Sequence, residues 1–182
     1  VGVSGAEFLA SIILGYEIVI RIGMSLQPSP ERYKKVWGLG THQTFGAAIA
    51  AGKLLGFDEK RMLDAIGIAG AFSPVPSTLK FQVKTEERPM SWVKDLVAYA
   101  CQGGVLAALL AQRGFIGFQS TLDGETGFWI MAGSDKCDFE ILTERLGQEY
   151  KMMELSFKPY SSCRYTHVTL DAVRKLVGEH RI

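Results

Sequence analysis

Between Gln43 and Leu55 the chain carries Gly46, Ala47, Ala48, Ala50, Ala51 and Gly52 in a stretch with no helix breaker other than the glycines. A helix faced mainly by hydrogens and methyl groups has little side-chain surface of its own to bury, and helical stability in proteins comes mostly from tertiary packing. Such a helix holds only if neighbouring backbones come close and cover it. The run therefore calls for an interior helix surrounded by others, and this demand shapes every reading of the flanking sequence.

The neighbours follow. Ser4 and Glu7 have the spacing of a capping box at a helix start, and a helix is predicted from about Gly5 to Ile22 with Gly23 as its stop. Its apolar positions Phe8, Ile12, Leu14, Val19 and Ile22 do not keep to one stripe, as in a helix buried among others. Gln27 to Arg32 contains two prolines and reads as a loop. After the small-residue helix, Gly56 is a stop and Asp58 a cap for a helix over Glu59 to Ala71. Ser73 to Ser77 breaks the pattern, and a polar stretch runs to Pro89. The longest helix is expected from Ser91 to Gln112, ending at Gly114, with Gly103-Gly104 as a place where it could break. Gly114 to Gly133 is rich in turn residues.

Near residue 136 the character changes. Asp138 can cap a short helix to Leu146, Tyr150 to Phe157 has the mixed apolar and polar run of a strand, and Thr166 to Val177 is helical again. The expectation is a mainly α protein: an all-helical domain over residues 1–135 and the beginning of an α+β domain over 136–182. At 182 residues the chain is long enough for one well-buried domain and part of a second. It begins at Val1 and enters a helix almost at once, which reads as a fragment of a longer chain.

Composition narrows the function classes. Lys+Arg 20 against Asp+Glu 19 leaves a formal charge of +1, without a basic block, so neither nucleic acid nor an anionic membrane is an expected partner. The longest apolar stretch, Phe8 to Ile22, contains Glu17 and Arg21, both costly at a bilayer centre. Cys101, Cys137 and Cys163 are widely spaced with no Cys-x-x-Cys pair, which gives no metal site and fits a reducing, cytoplasmic setting. The glycine-rich pieces lack the framing of a nucleotide-binding loop.

Two segments can carry chemistry. His42, in Leu39-Gly40-Thr41-His42-Gln43-Thr44, stands at the start of the small-residue helix, where the dipole attracts anions and disfavours an imidazolium. Two readings fit it, a ring that caps the helix and a base. The second segment, Lys158-Pro159-Tyr160-Ser161-Ser162-Cys163-Arg164-Tyr165-Thr166-His167, packs two cations, an imidazole, a thiol and several hydroxyls into one loop before a helix. It fits either a solvated loop with a helix cap or a site for a carboxylate-rich ligand. Cys163 and His167 are four apart, which allows a thiolate–imidazole pair, but no third group to orient the base is identifiable, and a buried or half-buried thiol is the simpler reading. Lys94, in Trp92-Val93-Lys94-Asp95, fits either a substrate-binding lysine or an exposed lysine beside an acid.

Taken together, these blocks resemble the MmgE/PrpD family, which includes 2-methylcitrate dehydratase, cis-aconitate decarboxylase and iminodisuccinate epimerase. The resemblance rests on Thr41-His42-Gln43-Thr44 leading into Gly46 to Gly56, on Ala65 to Gly70, on Gly104 to Gly117, and on Phe157-Lys158-Pro159-Tyr160 with Cys163-Arg164-Tyr165-Thr166-His167. It implies a helical first domain, an α+β second domain, a homodimer and an active site between the domains. It also implies small di- or tricarboxylate substrates handled without a metal or organic cofactor. By position His42, Lys158 and His167 match residues that line the family's site, with Lys94, Arg164 and Cys163 as candidate substrate-binding residues. The family's lysine near the start of the long helix is displaced in register here, without its accompanying histidine. An N-terminal segment with an acidic, histidine-containing motif and most of the second domain are missing relative to family chains.

Loss of water, loss of CO₂ or inversion next to a carboxylate each builds carbanion-like charge, which cations stabilise while a base and an acid move protons. The expected activity is that of a cofactor-independent hydro-lyase like 2-methylcitrate dehydratase. The alternatives are an epimerase or isomerase, a decarboxylase, or a non-catalytic carboxylate-binding or dimerisation fragment.

Overall fold

The computed structural model describes residues 2–36, 41–73 and 97–180. Its elements are α1 (Gly5–Ser25), α2 (Pro30–Val36), α3 (Gln43–Leu54), α4 (Glu59–Phe72), α5 (Val97–Gln112), α6 (Phe128–Met131), α7 (Glu140–Thr143), two 3₁₀ turns (Lys151–Glu154 and Arg164–Thr166) and α8 (His167–His180). The fold is mainly α, and no strand occurs among the described residues. Two compact units divide the chain, Val1–Met152 and Met153–Ile182, whereas the composition shifts near 136.

The helix starts obey local chemistry. Ser4 Oγ accepts from the Glu7 N–H at 3.2 Å while Glu7 accepts from the Ser4 N–H at 2.7 Å, a complete capping box. The Asp58 carboxylate accepts from the Arg61 N–H at 2.9 Å and starts α4. The loop expected over Gln27–Arg32 is instead interrupted by α2, because Pro30 sits in the first turn, where its missing N–H costs nothing, and the Ser29 hydroxyl accepts from the Arg32 N–H at 3.3 Å.

In the first unit α3 lies between α1 and α5, and α4 packs on α3 and α5. Phe45, Ala48, Ala69, Ala107 and Phe128 are buried at the centre, with Phe45 and Phe128 edge to face at 4.7 Å between ring centres. The expected weak point at Gly103-Gly104 is absent, and α5 runs through it. A Cβ at Gly104 would stand 2.1 Å from the Thr44 carbonyl oxygen and 2.7 Å from Ala47 Cβ, so the missing side chain sets the α3–α5 distance. Alanine is the better helix former by about 1 kcal/mol, yet Gly104→Ala should lower stability by about 1–3 kcal/mol because a backbone oxygen must move. An unchanged or raised urea midpoint would contradict this packing.

α1 spans 21 residues and is long and apolar enough to cross a bilayer. Two of its three charged side chains, however, are spent inside the fold. Glu17 and Arg21 are 2 % and 1 % exposed and pair at 2.6 Å. Arg21 also donates to the carbonyls of Ile141 (3.0 Å), Glu144 (2.8 Å) and Glu149 (3.0 Å), and Glu17 accepts the Met152 N–H at 2.9 Å. Burial pushes the Glu17 carboxyl upward, but the Met152 N–H, Arg21 and the Lys151 N–H together outweigh it and hold its pKa below the usual value. The segment after α7 is thereby bound to α1 through its main chain.

That binding corrects the strand expected over Tyr150–Phe157. Residues Lys151–Glu154 form a 3₁₀ turn with the Met152 N–H committed to Glu17, and Met153 and Phe157 are exposed. Among the described residues β pairing is confined to an isolated bridge, Leu26 with Cys137, supported by the Asp138 N–H on the Ser25 carbonyl at 2.9 Å. The short helix expected to reach Leu146 stops at Thr143, where the chain turns through Arg145 and Gly147, both at positive φ.

Candidate active site

His42 immediately precedes α3 in a helical conformation, and its ring makes no capping bond to the helix start, which removes the capping reading. The ring lies instead against α1. A Cβ at Gly23 would stand 3.0 Å from His42 Nε2, so the expected helix stop at Gly23 is corrected: α1 continues to Ser25, and the glycine serves as a seat for the imidazole. On either side of His42, Thr41 Oγ1 and Gln43 Oε1 are buried without a hydrogen-bond partner. Buried polar atoms left this way are uncommon, because each forfeits its hydration. Gln43 also lines a groove of about 280 Å³ with Gly15, Tyr16, Ala47 and Cys101. Burial pushes the Cys101 thiol pKa up, which keeps it an unreactive thiol.

In the second unit the loop before α8 gathers Lys158 and His167 on one atom. The Lys158 ammonium donates to the Ser162 carbonyl at 3.4 Å, and His167 Nε2 meets the same oxygen at 3.3 Å. A carbonyl only accepts, so Nε2 carries the proton and Nδ1 is the basic nitrogen of the neutral ring. His167 is buried and opens α8, and the Tyr160 ring packs edge to face on it at 5.2 Å. The Tyr160 hydroxyl donates to Asp171 and accepts from Arg174 at 3.2 Å.

The other expected site residues are placed differently. Arg164 donates to Ser156 Oγ at 2.8 Å. Cys163 is exposed, not buried or half-buried, and its carbonyl accepts from the Thr166 N–H and hydroxyl at 2.9 and 2.7 Å. Its contribution there is to the start of the helix, and His167 bonds to Ser162 in place of the conceivable thiolate. Lys94 lies outside the described residues. Among the described residues no group of three His, Cys, Asp or Glu side chains is placed to hold a metal ion. Sequence reasoning passed over Asp171 and Arg174, although their spacing of four and seven from His167 puts all three on one helix face.

Residues 1–140 match the model of the MmgE/PrpD N-terminal domain. The chain belongs to the MmgE/PrpD family. Similar MmgE/PrpD proteins include a cis-aconitate decarboxylase-like protein of Aspergillus oryzae, 26% identical over 185 residues, covering 96% of this chain and 36% of the relative. A cis-aconitate decarboxylase of Aspergillus terreus is 26% identical over 189 residues, covering 98% and 36%. The cis-aconitate decarboxylase of Homo sapiens is 27% identical over 128 residues, covering 69% and 24%. The chain thus spans about a third of the length of the Aspergillus relatives. By name these relatives are a cis-aconitate decarboxylase-like protein and two cis-aconitate decarboxylases.

Proposed function

We propose that the protein carrying this chain is a cofactor-independent, cytoplasmic, homodimeric lyase that acts on a small di- or tricarboxylate by proton transfer next to a carboxylate. The observation that carries this reading is the shared Ser162 carbonyl, which holds an ammonium group beside an imidazole with a defined tautomer. In the proposed division of labour Lys158, helped by Arg164, neutralises a substrate carboxylate and the charge that develops beside it. His42 and His167 supply the base and the acid. Lys94 and Cys163 are proposed as further contacts to the substrate.

Dehydration of a 2-methylcitrate-like acid remains one branch of this chemistry, and epimerisation another. The decarboxylase names of the relatives favour a third, loss of CO₂ from a tricarboxylate such as cis-aconitate. Each passes through the same kind of carbanion-like state, so one experiment separates them. Incubation of the protein in its natural length with citrate-like, aconitate-like and aminodicarboxylate acids in D₂O, followed by NMR, should give deuterated product with release of CO₂. A new alkene without CO₂ would select dehydration, and exchange without conversion would select epimerisation. No deuterium uptake, no new alkene and no CO₂ from any of the acids would end the enzymatic reading in favour of a binding fragment.

A further inference from the structure

We propose that Tyr160 is the positioning residue for His167, holding the imidazole so that its protonated Nε2 stays on the Ser162 carbonyl while Nδ1 is presented for proton transfer. This rests on the acid–base role proposed for His167. Four observations carry it. The Tyr160 ring packs edge to face on the imidazole at 5.2 Å with the planes at 78°, a geometry that opposes rotation of either ring. The phenol is fixed at its far end between Asp171, to which it donates, and Arg174, from which it accepts at 3.2 Å. The Arg174 guanidinium also lies over the Tyr160 ring at 5.8 Å. Both anchors are on α8, four and seven residues after His167, so ring, anchors and imidazole belong to one rigid element and its preceding loop.

The arrangement is more than packing requires. Asp171 and Arg174 are exposed and bury little surface. What they restrict is the rotation of an exposed loop's aromatic ring, and the face-to-edge partner of that ring is a buried histidine. A displacement of about 1 Å in a proton-transfer group can cost about 10²-fold in rate, so restraint of this ring has a kinetic consequence that restraint of a structural side chain lacks.

The test uses the protein in its natural length, labelled with ¹³Cε1-histidine, with the His167 signal assigned by its loss in His167→Gln. Tyr160→Leu should leave the other histidine signals unchanged and mobilise the His167 ring, with an order parameter falling below about 0.6. Tyr160→Phe and Asp171→Asn, which keep the ring or the fold, should give intermediate mobility. In parallel, kcat and KM are measured for CO₂ release from cis-aconitate. Tyr160→Leu should lower kcat by about 10–100-fold with KM within about twofold, and in the His167→Gln background it should lower kcat no further. An equally ordered His167 ring in all three variants overturns the positioning role, as does an additive loss in the double variant. If His167→Gln keeps full activity, or cis-aconitate is not turned over, the acid–base reading falls while the NMR result still decides whether Tyr160 holds the ring.

Discussion

Replacing Arg21 by alanine should cost about 3–5 kcal/mol of stability, read as a fall in the urea midpoint with an unchanged slope. The size of the effect follows from what is left behind. Glu17 stays 2 % exposed with its ion-pair partner gone, and the carbonyls of Ile141, Glu144 and Glu149 lose the donor that satisfied them. Glu17→Gln with Arg21→Met should recover much of the loss, because removing both charges also removes their desolvation. A deficit below about 1 kcal/mol in Arg21→Ala would mean that the segment after α7 is not held by this pair. The pH dependence has a definite sign. Glu17 has a folded pKa below its ordinary value of 4.5, so its contribution is fully present above about pH 4.5 and is lost as pH falls through the lower folded value. Wild-type protein should therefore lose stability on acidification below pH 4.5 more steeply than Glu17→Gln.

His42→Ala in the natural-length protein should lower kcat by about 10²–10⁴-fold if the imidazole takes part in proton transfer. The expectation is sharper than a motif match supports, since the ring is seated against Gly23 on a neighbouring helix and makes no bond to the start of its own. A ring held by α1 and flanked by buried, unpartnered oxygens of Thr41 and Gln43 is placed for something other than capping. A fall of less than about threefold would remove His42 from the mechanism and leave the loop before α8 to act without it.

What the sequence disclosed divides by range. The Ser4–Glu7 box and the Asp58 cap were legible because each is settled within one helical turn. The interior position of α3 was legible because a run of glycine and alanine admits few other arrangements. Gly23 has the local pattern of a helix stop, but what makes it a glycine is a ring some twenty residues on, which no local pattern contains. The run over Tyr150–Phe157 has a strand's composition, but a long-range bond from the Met152 N–H to Glu17 decides its conformation. The density of polar side chains from Lys158 to His167 singles out the loop in which Lys158 and His167 meet the Ser162 carbonyl. The clamp on Tyr160 joins that loop to α8, so the periodicity of the helix aligns Asp171 and Arg174 with His167 but does not reveal the phenol that meets them.

Arg21 reaches residues 141, 144 and 149 only through their carbonyl oxygens. Peptide oxygens are common to every amino acid, so those three side chains can change freely in evolution or by design without loosening the clasp, provided the local trace of the chain is kept. The arginine has no such latitude. A lysine offers a single rotating ammonium group where a flat fork now reaches several acceptors at once, and the same charge at that position would leave most of them unserved.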